Sequence, residues 1–143
     1  MTIRVMAVED YAEVYALWKT TEGIGMRSLD DSEEGIRRFL ERNPHTCFAA
    51  LEEGKIIGVI LSGHDGRRGF IYHTAVEKAS RNRHIGSALV MAVEEAMKKE
   101  GIHKIALVAF RDNNPGNLFW EGLDFFERKD LVYRDKNLNP QNI

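Results

Sequence analysis

The sequence predicts an α/β fold, an α+β arrangement in which a mixed sheet carries helices on both faces. Segments with the three- and four-residue apolar spacing of amphipathic helices lie between short β-prone segments. The central strands, between Thr46 and Val76, are apolar on both faces, so helices must cover both sides of the sheet. The predicted element order is β-α-α-β-β-β-α-β-α-β-β.

The first half of the chain predicts one strand, two helices and a meander. Thr2–Val8 is a short β-prone segment, and Glu9-Asp10 open a helix that runs to about Thr21, since acidic residues suit a helix start. A second helix follows the N-cap Ser32 and stops at Asn43-Pro44. An antiparallel meander then comprises Thr46–Leu51, Ile56–Leu61 and Phe70–Val76.

The second half begins with a long helix from Ile85 to Glu100, which Gly101 ends. A strand over Lys104–Phe110 comes next, and Asn114-Pro115 predict an N-cap and a first helical position. The remaining elements are a short helix, Gly116–Gly122, and two last strands, Phe125–Arg128 and Leu131–Arg134.

Length and composition limit the classes of function. We expect a single domain over residues 1–136 and a frayed polar tail over 137–143. The net charge of −2 gives no reason to expect a nucleic-acid partner, and no apolar run reaches the roughly 18 residues of a membrane span. The cytoplasm is therefore the expected compartment. Histidine and cysteine spacings predict no metal site, and Cys47 has the setting of a small core residue.

Residues 80–90, SRNRHIGSALV, connect a strand to the start of the long helix. The first amides of a helix lack internal partners and attract anions, and Arg81 and Arg83 add charged donors. Small residues at 86–88 let a ligand approach the backbone. A phosphate or pyrophosphate site is one interpretation, and a solvated basic turn is the other. The spacing of a P-loop is absent.

Two sequence motifs favour the phosphate-site interpretation over the solvated turn. Val76-x-x-x-x-Arg81-x-x-His84-x-Gly86 resembles the acetyl-CoA loop of the GCN5-related N-acetyltransferase (GNAT) superfamily, and Asn113-x-x-Gly116-x-x-x-Trp120-Glu121-x-Leu123-x-Phe125 is similar to a second element of that family. The element order matches as well, so the resemblance spans about residues 2–136. His84 stands where the family usually has glycine, Lys78 where proline is common, and Asp124 where glycine precedes the phenylalanine.

The resemblance implies acetyl-CoA as the acetyl donor. It places the pyrophosphate on the loop, the pantetheine arm between splayed strands 72–76 and 105–110, and the thioester carbonyl near the amides of Ala75 and Val76. The implied cofactor-binding residues are Ala75, Val76, Arg81, Asn82, Arg83, His84, Ile85, Gly86, Ser87, Asn113, Asn117 and Trp120.

In much of the family the proton donor is a tyrosine at the position of Trp120, and an indole N–H cannot deliver a proton in this pH range. We therefore expect Tyr72 first, and His73 second, to serve the proton transfers. Strand alternation predicts Tyr72 on one face with Val76 and His73 on the other, unless a bulge changes this. Arg27, Asp30 and Asp31, between the first two helices, are the expected acceptor contacts.

The implied function is acetyl transfer from acetyl-CoA to a primary amine of a small molecule or peptide by direct attack. The alternative is a degenerate module that binds acetyl-CoA as a sensor or regulator without turnover. The loss of the tyrosine and the loop glycine slightly favours this alternative, but a thiolate leaves readily with modest acid help, so the enzyme is the preferred interpretation. Homodimers are frequent in such folds and are left open here.

Overall fold

The computed structural model describes all 143 residues and has a five-stranded sheet in the order β1-β2-β3-β4-β5. Neighbouring strands are antiparallel except β4 and β5, which are parallel. The strands are β1 (Thr2–Val5), β2 (Phe48–Glu52), β3 (Lys55–His64), β4 (Gly69–Val76) and β5 (Ile105–Leu107). The helices are α1 (Tyr11–Lys19), α2 (Glu33–Arg42), α3 (Ile85–Lys99) and α4 (Asn114–Gly122). This confirms the predicted mixed α/β class.

The sheet separates two apolar cores. Helices α1 and α2 pack on one face, where Trp18 and Ile36 are buried against β3 residues such as Val59. Helix α3 covers the other face with Leu89 and Val93. The prediction of helices on both sides is confirmed. None of the four helices combines the length and apolar character that crossing a membrane requires.

Three local predictions have clear outcomes. Ser32 caps α2 as predicted, because its hydroxyl accepts a hydrogen bond from the Gly35 N–H at 3.0 Å. Cys47 is fully buried, and burial raises the pKa of its thiol to about 12, so it is a core residue as predicted. The cap of α4 was predicted one residue too late. Asn113, not Asn114, accepts from the Gly116 N–H at 3.2 Å, and Pro115 takes the second helical position.

Strands β4 and β5 pair over only three residues, from Gly69 with Ile105 to Ile71 with Leu107. The predicted strand over Lys104–Phe110 therefore ends three residues early. Beyond Ile71, β4 continues to Val76 alongside β3 alone. The two parallel strands thus part after Leu107, which leaves an open edge along the second half of β4.

The two last predicted strands, Phe125–Arg128 and Leu131–Arg134, do not form, and residues 123–143 contain no helix or strand. A segment with strand-type residues forms a strand only when it can pair with the edge of a sheet. The neighbouring strand here, β5, is only three residues long. The end of the chain is nevertheless held, so the expectation of a frayed tail is wrong for residues 141–143. Their hydrogen bonds run to Ser28, Leu29 and Asp30 in the α1–α2 loop.

Candidate active site

A β-bulge in β4 lies directly beyond the point where β4 and β5 part. Ile60 pairs with Thr74 and Ser62 pairs with Ile71, so Leu61 faces two residues, Tyr72 and His73. The simple alternation that would put these two side chains on opposite faces is therefore wrong. Tyr72 packs on Phe39 of α2 and His73 packs on Trp18 of α1, so both face the α1–α2 side.

Tyr72 has a half-exposed ring whose centroid lies 5.5 Å from that of Phe39 in an edge-on arrangement. Burial raises the pKa of its hydroxyl above the ordinary value of 10, and the nearby Tyr133 and Asp30 act in the same direction. The hydroxyl therefore stays protonated at neutral pH, which is the state that a proton donor needs.

His73 is bonded to Asp31, a residue of the α1–α2 loop. Its Nε2 lies 2.8 Å from Asp31 Oδ1, and the second carboxylate oxygen accepts the Arg27 N–H at 2.7 Å. The Asp31 side chain is only 7% exposed. Asp31 was expected to contact an acceptor, but its carboxylate is turned inward and its hydrogen bonds go to the protein.

The amide directions along β4 follow from its pairing with β3. Glu77 N–H donates to Ile57 O at 2.7 Å, and antiparallel pairing alternates from residue to residue. The Ala75 amide therefore faces β3, whereas the Val76 amide faces the open edge. Of the two amides that the sequence singled out, Val76 is free to bind a ligand carbonyl and Ala75 is not.

The loop before α3 contains two non-glycine residues in the left-handed region. Asn82 has φ 62° and His84 has φ 61° with ψ 22°. A side chain costs about 1–2 kcal/mol in this region, and glycine largely avoids that cost. The backbone at position 84 thus explains why a glycine is expected there. His84 keeps the glycine-type conformation, so the loop shape survives the substitution.

This backbone leaves three amides unbonded at the start of α3. The first bond within the helix runs from Ala88 N–H to His84 O, no side chain caps the end, and the N–H groups of Ile85, Gly86 and Ser87 have no acceptor. Such amides with a helix dipole behind them fit a pyrophosphate. This set of donors suits a diphosphate group.

The two arginines of the loop differ in what they bind. Arg81 forms no ion pair, and its Nε donates to Val76 O at 3.2 Å. Both terminal nitrogens of Arg83 donate to the carboxylate of Glu52 at the end of β2. Arg81 is therefore the arginine whose charge is available to a ligand, and no local sequence pattern distinguishes it from Arg83.

Helix α4 closes the site from the side of β5. A Cβ built on Gly86 would lie 3.1 Å from the ring of Phe119, so a larger side chain here would push against Phe119 where α3 meets α4. Trp120 stacks edge-on between Phe119 and Phe125 on the α3 side of the sheet, an aromatic cluster in place of the family's tyrosine acid. Phe119 was missed, although it adjoins the predicted Trp120.

Asn113 and Asn117 organise the turn between β5 and α4. The oxygen of Asn113 caps α4, and Asn117 Nδ2 donates to the carbonyls of Phe110, Arg111 and Asn113. These hydrogen bonds use the side-chain amides that the sequence predicts to contact the cofactor arm. A Cβ on Gly23 would lie 2.6 Å from Asn113 Nδ2, so this turn also touches the α1–α2 loop.

Two cavities flank this region. One of about 510 Å³ includes Arg81, Lys78, Glu22 and Asn113 and lies between the residues that follow α1, the loop before α3 and the turn before α4. The other, of about 450 Å³, lies beside α1 and includes Arg27, Asp31, Tyr11 and Ile143. Asp30 does not line either cavity, and its carboxylate accepts from Asn142 Nδ2 at 2.9 Å.

Comparison with known proteins agrees with this geometry. The profile described as the acetyltransferase (GNAT) family matches residues 11–125. An acetyltransferase of Sodalis glossinidius is 31% identical over 138 residues, which cover 96% of both chains. Among solved structures, Ard1 from Thermoplasma volcanium has a TM-score of 0.76 at 20% identity, covering 85% of this chain and 80% of that one.

A further structure, AAC(6')-Iy in complex with the bisubstrate analogue CoA-S-monomethyl-acetylneamine, has a TM-score of 0.73 at 19% identity and covers 95% of this chain and 97% of its own. The structural likenesses establish the fold, and the profile and the curated relative establish the family. Together with the parted strands and the open amides before α3, they show that this chain belongs to the GNAT family of acetyltransferases.

Proposed function

We propose that the chain transfers the acetyl group of acetyl-CoA to a primary amine of a small molecule or peptide by direct attack. One observation carries the proposal. The open edge of β4 runs from the unbonded amides before α3 to the bulge that presents Tyr72 and His73. The proposal therefore places a phosphate site at one end of this edge and two proton-transferring side chains at the other.

Acetyl-CoA supplies a thioester, and attack by an amine forms the N–C bond, breaks the C–S bond and releases the thiol. The residues that would hold it are Arg81, the amides of Ile85–Ser87 and the amide of Val76. Arg81 and the helix amides suit the diphosphate charge, and the Val76 amide suits the acetyl oxygen. The complex of AAC(6')-Iy with a CoA-containing analogue supports a cleft of this kind.

Two protons must move for the reaction to balance. The attacking amine loses one, for which His73 is the acceptor in this proposal, because imidazole accepts protons near neutral pH. The departing sulfur gains one, for which Tyr72 is the donor, because burial keeps its pKa raised. Both side chains lie at the bulge, so the proposal places the two proton transfers there.

The amine enters from the α1–α2 side in this proposal, where Arg27 borders the cavity of about 450 Å³. Tyr11 contributes an aromatic ring to the same cavity, and aromatic rings attract ammonium groups. The acceptor class is therefore a cationic amine, either a small molecule or the amino group of a peptide.

A thiol-release assay with acetyl-CoA and a panel of primary amines tests this function, with calorimetric titration of coenzyme A alongside it. We expect thiol release that depends on both the enzyme and an amine. Gly86→Trp serves as the binding-deficient control, because Phe119 already touches this position. Tight coenzyme A binding without turnover on any amine would instead support the sensor alternative.

A further inference from the structure

We propose that Asp31 is a positioning residue that fixes the tautomer of His73, so that Nδ1 is the atom that takes the proton from the amine. This inference rests on the proposed acetyl transfer and adds a residue with a defined role to it. Asp31 acts through His73 and needs no contact with either substrate.

The tautomer follows from the hydrogen-bonding capacity of each group. Asp31 Oδ1 lies 2.8 Å from His73 Nε2, and a carboxylate can only accept, so the proton of the neutral ring lies on Nε2. The lone pair is then on Nδ1. Nδ1 forms no hydrogen bond within the protein and is not fully enclosed, so it is the ring nitrogen that remains for an incoming amine.

Asp31 is itself held from several directions. Its Oδ2 accepts a hydrogen bond from the Arg27 backbone N–H at 2.7 Å, and its backbone carbonyl accepts one from the Tyr11 hydroxyl at 2.7 Å. The His73 ring is held edge-on against Trp18, with the ring centroids 4.9 Å apart. The carboxylate therefore cannot turn away without breaking the loop, and the ring cannot turn away without losing the carboxylate.

The same contacts connect the base to the acceptor side. Arg27 and Asp31 border the cavity proposed for the amine, and Asp31 reaches across to β4 through His73. The α1–α2 loop, which borders this cavity, thus also sets the orientation of the base at the bulge. In the transfer, an N–H of the amine gives its proton to Nδ1, which makes the ring an imidazolium that Asp31 stabilises.

Asp31→Asn gives a sharp test because the side chain keeps its shape. Its single oxygen must still accept the Arg27 N–H, so its NH₂ faces His73 Nε2. Nε2 must then accept, the ring proton moves to Nδ1, and the base loses its lone pair. We therefore expect the tautomer of His73 to invert, while the fold is retained.

The tautomer is measured directly by histidine-selective ¹H–¹⁵N NMR, with His73→Gln to assign the signal. We expect Nε2–H in the wild type and Nδ1–H in Asp31→Asn. The matched control is Glu100→Gln, which alters the other histidine–carboxylate pair, His64 Nε2 to Glu100 Oε2 at 2.9 Å. That variant should change the His64 signal and leave the His73 signal and the turnover unchanged.

The kinetic arm separates positioning from stability. Loss of a general base typically costs about 10²–10⁴ in rate, so kcat of Asp31→Asn should fall by at least about 100-fold while KM for acetyl-CoA is unchanged. A wild-type His73 with its proton on Nδ1 would overturn the proposal. So would an inverted tautomer at full kcat. Failure of the wild type to acetylate any amine would overturn the proposed function and the base role, whereas the tautomer would still report whether Asp31 orients His73.

Discussion

Arg83 and Glu52 form a two-point ion pair that anchors the loop before α3 to the end of β2. Hydrogen bonding to Arg83 also lowers the pKa of the Glu52 carboxyl, so the pair stays charged down to acidic pH. The guanidinium of Arg81, four residues before the helix, has no carboxylate partner. Two neighbouring arginines that look alike in sequence thus have different roles.

The first prediction compares them. Arg81→Ala should weaken coenzyme A binding by roughly 10- to 100-fold, because a hydrogen bond to a charged group is worth about 1.5–3 kcal/mol. Arg83→Ala should change the affinity much less, because both of its terminal nitrogens already serve Glu52. Calorimetric titration of coenzyme A into both variants measures this. Equal losses would show that Arg83 leaves Glu52 to bind the ligand.

The second prediction concerns the left-handed backbone at His84. His84→Gly should raise the free energy of unfolding by roughly 0.5–1 kcal/mol, since it removes a side-chain cost of about 1–2 kcal/mol and adds back part of it as glycine entropy. Urea denaturation should show a higher midpoint at an unchanged slope. His84→Ala is the matched control, because alanine keeps the Cβ that causes the cost. A similar gain in both variants would contradict the backbone explanation.

The course of the chain up to α4 could be predicted from sequence because apolar period and capping residues act locally. Ser32 and the apolar stripe of α3 are examples. The bulge at Tyr72 and His73 could not, since it depends on how β4 aligns with Leu61 of another strand. The inward turn of Asp31 and the Glu52 partner of Arg83 are likewise long-range contacts that leave no local pattern.

The failed prediction of two C-terminal strands has the same origin. The segments around Phe125 and Tyr133 have strand-type residues, but a strand forms only against an edge that can pair with it. That edge is short because β5 ends at Leu107. The intrinsic strand preference of these segments is therefore not enough without a neighbouring edge to pair with.

The third prediction is a pH dependence of stability at Asp10. Two hydrogen bonds from Arg4, at 2.8 and 2.9 Å, lower the pKa of this nearly buried carboxyl below the model-peptide value of 3.8. A lowered pKa stabilises the fold above the unfolded value, and this stability is lost as the pH falls through the folded value. Asp10→Asn should therefore lower the free energy of unfolding by about 1–3 kcal/mol at pH 7 and by much less near pH 3. Urea titrations at both pH values test this, and an equal difference at the two would refute it.

The fourth prediction concerns Tyr72 as the proton donor. Tyr72→Phe should lower kcat by about tenfold, less than the 10²–10⁴ typical of general acids, because a thiolate leaves readily. Coenzyme A affinity should not change. Burial raises the pKa of Tyr72 above 10, so the rate of the wild type should fall only above pH 10. Tyr72→Phe should not show this fall. Such a fall starting near neutral pH would exclude this assignment.

The fifth prediction concerns the hold of the chain end on the α1–α2 loop. Asn142 Oδ1 accepts the N–H groups of Leu29 and Asp30 at 3.0 and 3.1 Å, and its Nδ2 donates to the Asp30 carboxylate. Asn142→Ala removes all three bonds and should speed hydrogen exchange at residues 29 and 30 by roughly tenfold, since one net hydrogen bond is worth about 1 kcal/mol. Gln141→Ala is the matched control, because Gln141 contacts Ser28 only through its backbone carbonyl. Exchange that is equally fast in both variants would show that the Asn142 side chain does not order this loop, whereas faster exchange in Asn142→Ala alone would establish it as the residue that does.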